Sequence, residues 1–180
     1  MVDFSKHLGK KKVEKPIDPI AIYDRLDRSV EKGELRKAQV HILKTWFNTA
    51  REKRDVIFKL HTGQGKTLIG LLALQSKLNE GKGPALYLCP NKQLVEQTCS
   101  QAKQFGVPVC RADDGLPHDF VDGQSILVTT VQKLFNGLTQ FKLGLKAQAV
   151  GAILMDDSHA CVDAIRDAVT VKIPRDNPLF

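Results

Sequence analysis

The residues most suited to chemistry lie in one short run, Thr62-Gly63-Gln64-Gly65-Lys66-Thr67. Its two glycines let the main chain adopt positive φ angles and approach an anion closely. Successive amides can then point at phosphate oxygens from the N-terminus of a helix, where the helix dipole also favours negative charge. Lys66 supplies a point charge for β- and γ-phosphates, and the Thr67 hydroxyl is a suitable Mg²⁺ ligand. The run therefore predicts a phosphate-binding loop, or P-loop.

The flanks of this run have the composition that a P-loop requires. An apolar run over residues 56–60 precedes it and predicts a strand, and an apolar run over residues 68–74 follows it and predicts a helix. A strand, a glycine-bearing loop and a helix form the usual setting of a P-loop. The alternative is an ordinary glycine turn that leads into a helix. By chance, Gly-x-Gly-Lys-Ser/Thr arises in a chain of this length with a probability of about 1 per cent.

A second candidate site follows another apolar run. Residues 149–155 predict a buried strand, which ends in Asp156-Asp157-Ser158-His159. A carboxylate at a strand end can hold Mg²⁺ opposite a P-loop, and we assign that role to Asp156. Asp157 could then orient the attacking water or accept its proton. Alternatively, two acids at a strand end form a surface turn or a helix N-cap, because Asp and Ser are common caps.

The pattern of predicted elements indicates the fold class. Short apolar strands over 55–60, 85–89, 107–110, 125–129 and 149–155 alternate with helices over 19–31, 35–54, 67–78, 91–105, 131–136 and 158–168. Strands that are apolar throughout are typical of a parallel sheet covered by helices on both faces. Ligands bind such sheets at the carboxyl ends of the strands, which is where both candidate sites lie.

Composition and charge limit the function classes. The 180 residues are 42% hydrophobic and 26% charged, which predicts one domain with a sizeable core. We expect no membrane segment, because no apolar run approaches about 20 residues. We expect a cytoplasmic protein, since the Lys-rich N-terminus lacks the apolar segment of a secretory signal. Four cysteines without a C-x-x-C pair predict buried thiols rather than a zinc site.

The positive charge is concentrated in the first third of the chain. Residues 1–60 hold 15 Lys and Arg against 9 Asp and Glu, and so carry six of the seven net positive charges. Such a basic region suits an anionic partner such as nucleic acid. The alternative, which we favour for residues 6–15, is a solvated tail.

The two candidate sites, in this order, resemble motifs I and II of the superfamily 2 helicases, especially the DEAD/DEAH-box and type III restriction-like groups. Motif I, A-x-T-G-x-G-K-T, is similar to residues 60–67, with Leu60 where Ala or Gly is usual. Motif II, D-E-A-H or D-E-A-D, is similar to residues 156–159. Asp156 and His159 match it, whereas Asp157 replaces Glu with a shorter arm, which predicts slow hydrolysis.

Three further segments are similar to motifs of the same family. Residues 34–39 resemble the L-R-x-x-Q form of the Q motif, which implies that Arg36 and Gln39 bind the nucleotide and that Gln39 reads adenine. The segments over 87–97 and 128–134 resemble motifs that contact the nucleic-acid backbone. The contact residues implied there are Pro90, Asn91, Lys92, Gln97, Thr129 and Thr130. Taken singly, Gln39 is typical of a surface residue on an amphipathic helix. Each of the other two segments, taken singly, is typical of a capped helix start.

The resemblance implies an α/β fold, a three-layer RecA-like P-loop NTPase with a mostly parallel sheet flanked by helices. Residues 34–180 would be the first motor lobe, and residues 1–33 a basic lead-in with a short helix. ATP and Mg²⁺ are the implied cofactors and DNA or RNA the partner. The implied catalytic residues are Lys66, Asp156, Asp157 and His159. The implied nucleotide and metal ligands are Arg36, Gln39, Thr62, Gly63, Gln64, Gly65, Lys66, Thr67 and Asp156.

The resemblance also indicates what is missing from this sequence. The chain ends 21 residues after His159, and neither a motif III nor a second lobe with arginine fingers is found. We therefore expect a truncated chain or a fragment that binds ATP–Mg²⁺ weakly and hydrolyses it barely. Two other classes remain open. One is a different P-loop phosphotransferase, and the other is a nucleotide-gated binding module with weakened catalysis.

Overall fold

The computed structural model describes residues 15–29, 33–61, 63–112, 115–136, 139, 141 and 147–170. Within these residues, four strands form one sheet: β1 (Ala85–Cys89), β2 (Val109–Cys110), β3 (Ile126–Thr130) and β4 (Ala152–Met155). The strand order is β2-β3-β1-β4, and every pairing is parallel. The predicted class, an α/β fold with a mostly parallel sheet flanked by helices, is confirmed.

Helices flank this sheet. In chain order they are α1 (Pro19–Arg25), α2 (Lys37–Thr45, which continues into a π-helical turn over Trp46–Ala50), α3 (Lys66–Asn79), α4 (Lys92–Phe105), α5 (His118–Val121), α6 (Val131–Leu134) and α7 (Ser158–Val169). Side-chain caps define several of their starts. Asp18 accepts from the amide of Ile20, and Asn91 accepts from the amide of Leu94, as expected from Asp and Asn at N-caps.

The two central strands have no exposed face, which is why most of their residues are apolar. One face of β1 packs with α3 and α4, through Tyr87, Leu71, Leu74 and Val95. The other face packs with α5 and α7, through Leu86, Leu88, Phe120 and Cys161. Burial on both faces is the property that a parallel sheet requires.

The prediction of a strand before the P-loop is wrong. Residues 55–60 form no regular secondary structure, and Ile57 is 91% exposed. The apolar run suggested a strand, but a strand is stable only when a neighbour satisfies its backbone groups. In the part of the chain that the structure describes, β4 is the edge of the sheet nearest α3, and residues 55–60 do not pair with it.

Other predicted elements differ in extent. The helix predicted over 19–31 ends at Arg25, because Leu26 takes an extended conformation. The short helix α5 is not among the helices that the sequence predicted. The strands predicted at 107–110 and 149–155 are shorter, starting at Val109 and Ala152.

Helix α1 is part of the same core as α2 and α3. Ile22 and Tyr23 of α1 are buried against Leu43, Leu68 and Leu72. The proposed division at residue 33 stays a prediction, and this shared cluster gives α1 a packing role beyond that of a lead-in.

We predict that two Ile→Ala substitutions differ strongly in their effect on the free energy of unfolding. Ile22→Ala should lower the free energy of unfolding by about 2–5 kcal/mol, because it leaves a cavity between α1, α2 and α3. Ile57→Ala should change it by less than about 0.5 kcal/mol, because that side chain is exposed. Urea denaturation measures both. A large loss for Ile57→Ala would show that residues 55–60 are buried in solution.

Candidate nucleotide-binding site

The P-loop leads directly into α3. Gly63 and Gly65 have φ angles of 80° and 74°, and Gly65 is the N-cap of the helix. Both angles lie in the left-handed region that glycine adopts without strain. Lys66 and Thr67 open the first turn, with the Lys66 side chain exposed and Thr67 half-buried. The first amides of a helix have no partner within the helix, so this helix start is suited to an anion. Thr62 lies outside the described residues.

Two side chains from the start of α2 brace this loop. Arg36 Nη1 donates to the carbonyl of Gly63 at 2.7 Å, and Gln39 Nε2 donates to the carbonyl of Gln64 at 3.3 Å. The Gln39 Oε1 atom accepts from the amide of Arg36 at 2.9 Å. A side chain at Gly65 would displace Gln39, because a Cβ there would lie 2.3 Å from Gln39 Nε2. The loop conformation and the position of Gln39 therefore depend on each other.

These contacts bear on the adenine-reading role predicted for Gln39. Its side chain is 5% exposed, and its oxygen and nitrogen each have a protein partner. An amide can accept two hydrogen bonds and donate two, so each atom keeps one further bonding position. Adenine recognition by Gln39 stays a prediction, whereas its contact with the P-loop is a feature of the fold.

Asp156 directly follows β4 at the carboxyl edge of the sheet. Its amide donates to the carbonyl of Leu88 at 2.9 Å, which extends the pairing of β4 with β1 by one residue. Beneath it, the Cys161 thiol donates to the Asp156 carbonyl at 3.1 Å. Burial, aided by the Asp156 carboxylate, raises the pKa of Cys161 to about 11, so this thiol stays protonated at neutral pH. Two hydrogen bonds, one from its amide and one to its carbonyl, thus fix the main chain of Asp156.

Asp157, for which the resemblance implied the position of the motif II Glu, caps α7. Its φ angle is 49°, in the left-handed region, and its Oδ1 accepts from the amide of Ala160 at 3.4 Å. The N-cap alternative raised by the sequence therefore holds for this residue. His159 lies in the first turn of α7 and is exposed.

Tyr87, a residue that the sequence analysis missed, lies against the helix that begins at the P-loop. It is in the middle of β1 and fully buried, and a Cβ at Gly70 of α3 would lie 3.1 Å from its ring. Burial raises the pKa of Tyr87 well above its usual range, and the charge of Asp156 raises it further. The only signal in the sequence for a role of Tyr87 was the presence of a tyrosine in a strand whose other residues are alanine, leucine and cysteine. The structure thus packs one phenol against α3 and within the electrostatic influence of Asp156.

The residues predicted to contact nucleic acid lie at the same edge of the sheet. Cys89 at the end of β1 is in register with Thr130 at the end of β3, so the segments after the two strands are neighbours. Gln132 Nε2 joins them by donating to the carbonyl of Pro90 at 3.4 Å. The exposed residues among those predicted are Asn91, Lys92 and Gln97, and Thr130 is half-buried.

Two of the predicted contact residues are placed less favourably. Thr129 is 4% exposed, so its hydroxyl faces the interior rather than a partner. Pro90 is also buried, although its carbonyl accepts from Gln132. Asn91 uses its side-chain oxygen to cap α4.

The part of the chain that the structure describes was searched for metal-binding clusters and for membrane-spanning helices. It contains no group of three His, Cys, Asp or Glu side chains that could hold a metal ion. None of the helices there has the length and apolar character to cross a membrane.

Comparisons of the sequence with known proteins identify a family. The family described as "Type III restriction enzyme, res subunit" matches residues 32–174. The Dicer-like protein 2-2 of Aspergillus niger is 27% identical over 111 residues, which are 61% of this chain and 8% of that protein. The ATP-dependent DNA helicase Hel308 of Thermococcus kodakarensis is 28% identical over 125 residues, 65% of this chain and 11% of that protein. The chain thus spans about a tenth of the length of these relatives. No solved structure matches significantly.

We predict that Gln39→Ala destabilises the protein even without nucleotide. The substitution removes the brace on the P-loop and leaves the carbonyl of Gln64 without that donor. It should lower the free energy of unfolding by about 1–3 kcal/mol, measured by urea denaturation. Gln93→Ala, an exposed glutamine on α4, is the matched control and should cost less than about 0.5 kcal/mol. Equal stability of the two variants would refute the bracing role.

Proposed function

Because the chain belongs to the type III restriction enzyme res-subunit family, within the superfamily 2 helicases, we propose that it is the N-terminal ATP-binding lobe of an ATP-dependent nucleic-acid helicase or translocase. The observation that carries the proposal is that α3, which begins at the P-loop, packs against β4, which ends next to Asp156: a Cβ at Gly70 of α3 would lie 2.9 Å from a methyl of Leu154. A P-loop and a strand-end carboxylate must converge in this way to handle a nucleoside triphosphate together.

In this proposal the P-loop binds the triphosphate. The amides of the first turn of α3, which follow Gly65, donate to phosphate oxygens, and the Lys66 ammonium neutralises the β- and γ-phosphates. Arg36 and Gln39 act first on the loop itself, because they fix the carbonyls of Gly63 and Gln64. Adenine contacts by Gln39 would use the hydrogen-bonding positions that the loop leaves free.

The residues at this edge suit magnesium. The Thr67 hydroxyl and the Asp156 carboxylate are oxygen donors, the ligand type that Mg²⁺ prefers, and Mg²⁺ needs only one or two protein ligands beside phosphates. When bound, the ion neutralises charge on the β- and γ-phosphates. The task of this chain is to orient the two oxygen donors, and their main chains are fixed by α3 and by the pairing of β4 with β1.

The nucleic-acid contacts are proposed at the neighbouring strand ends. Lys92 is exposed at the start of α4, and Thr130 is half-buried at the start of α6. A lysine and a helix start can hold backbone phosphates without reading bases, so contacts of this kind do not distinguish DNA from RNA. Thr129 would join them only if its buried hydroxyl became accessible.

Hydrolysis is proposed to require a second RecA-like lobe that supplies arginine to the transition state. In related NTPases such an arginine is worth about 10³–10⁵ in rate. This chain alone should therefore bind ATP–Mg²⁺ more readily than it hydrolyses it. The cytoplasm remains the proposed location.

A second candidate function is a nucleotide-gated binding module with weakened catalysis. The conformation of Asp157 favours it, because this carboxylate caps α7 and has a shorter arm than Glu. A side chain committed to a cap is less available to orient water.

Lys66→Ala tests the leading proposal. Removing one charge-assisted contact should weaken ATP–Mg²⁺ binding about 10–100-fold and abolish nucleic-acid-stimulated hydrolysis by the full-length protein. Lys103→Ala, an exposed lysine of α4, is the matched control and should leave both unchanged. Calorimetry and phosphate release are the measurements. Stimulated hydrolysis that survives Lys66→Ala would contradict the proposal.

Asp157→Glu separates the two candidates. A binding module with weakened catalysis should gain hydrolysis about tenfold or more when the longer carboxylate is supplied, since a positioned base contributes about 10²–10⁴-fold. If Asp157 already serves the motor, as the leading proposal has it, the substitution should alter turnover by less than about threefold. Turnover is measured with saturating ATP and nucleic acid.

A further inference from the structure

This inference rests on the proposed function and concerns how the magnesium-side residues are oriented. Tyr87 lies in β1 between Leu86 and Leu88, in register with Leu154 on one side and Val128 on the other. Its side chain points to the face that packs against α3. A tyrosine buried at this depth needs a partner for its hydroxyl, which its aliphatic neighbours do not offer.

The fold leaves space for the ring at Gly70. This glycine lies inside α3, where glycine is a poor helix former, one turn after Thr67. A Cβ at Gly70 would lie 3.1 Å from the Tyr87 ring and 2.9 Å from a methyl of Leu154. The ring therefore passes close beneath the first turns of α3, on the helix face that also carries Thr67.

Two polar side chains, one from each side of the cleft, flank this ring. Thr67 lies one turn before Gly70 on α3, and Asp156 lies two residues after Leu154 on the same face of β4. Both act on the pKa of Tyr87. Because a carboxylate can only accept, the Tyr87 O–H would donate to Asp156, and its oxygen would accept from the Thr67 hydroxyl. The Tyr87 hydroxyl would thus join the two oxygen donors that the proposed function assigns to magnesium.

We propose that Tyr87 is a positioning residue that orients Asp156 and Thr67 for a magnesium-bound nucleotide. It acts through these two side chains and touches neither the phosphates nor the reacting atoms. Partners that orient metal ligands in this way change metal affinity about 10–100-fold when removed. The competing explanation is that Tyr87 only fills space beneath α3, in which case its ring matters and its hydroxyl does not.

Tyr87→Phe distinguishes the two explanations, because it keeps the ring and removes the hydroxyl. The measurement is the ratio of ATP affinities with Mg²⁺ and with EDTA, obtained by calorimetry on the same protein. We expect this ratio to fall about tenfold or more, while the affinity in EDTA stays within about twofold of the unaltered protein. A ratio within about twofold of the original would overturn the proposal.

The chain offers a matched control. Tyr23, its only other tyrosine, is also buried, and its hydroxyl donates to the carbonyl of Gly33 at 2.7 Å. Tyr23→Phe should leave the ratio unchanged. An equal fall in both variants would mean that any lost buried hydroxyl perturbs the site, and would overturn the proposal. Unaltered protein that shows no magnesium-dependent binding would overturn the proposed function itself, which separates the two failures.

A second measurement does not depend on how well Tyr87→Phe folds. In Tyr23→Phe, Tyr87 is the only tyrosine, so the tyrosine bands of the near-ultraviolet difference spectrum report on it alone. Adding Mg²⁺ to the ATP complex should shift these bands, because the ion changes the charge that faces the Tyr87 hydroxyl. Spectra that superimpose with and without Mg²⁺ would contradict the proposal.

Discussion

The site depends on the parallel pairing of β4 with β1. That pairing, extended by the bond from the Asp156 amide to the carbonyl of Leu88, carries a carboxylate to the edge of the sheet at which α3 begins. Because the carboxyl ends of parallel strands share one edge, the segments after β1 and β3 reach the same place. The nucleotide, metal and nucleic-acid functions that we propose all use this one edge.

The P-loop obtains its shape in an unexpected way. No strand precedes it among the described residues, so its support comes from side chains of α2 rather than from a neighbour in the sheet. Arg36 and Gln39 bind two successive carbonyls of the loop, and α2 is in turn fixed by Leu43 in the core that includes α1 and α3. The residues that the resemblance assigned to nucleotide binding therefore also build the loop.

Most of the fold followed from the sequence, because apolar strands and capped helices are local signals. The strand β1 and the helix α4, with its Asn91 cap, agree with the prediction. The prediction of a strand over residues 55–60 was wrong because the apolar content of a segment does not show whether a neighbouring strand is available to pair with it. That Asp157 rather than Asp156 caps α7 depended on a φ angle that cannot be read from the sequence. Tyr87 was missed because Thr67 and Asp156 are 20 and 69 positions away from it in the chain.

The central claim is that Thr67 and Asp156 form one magnesium-nucleotide site. The most direct test is calorimetric titration of the unaltered, folded protein with ATP, once in Mg²⁺ and once in EDTA. Our account predicts that Mg²⁺ tightens ATP binding by about tenfold or more, the change expected when a charge-paired contact is gained. Equal affinity under the two conditions, or no heat of binding in either, would contradict it.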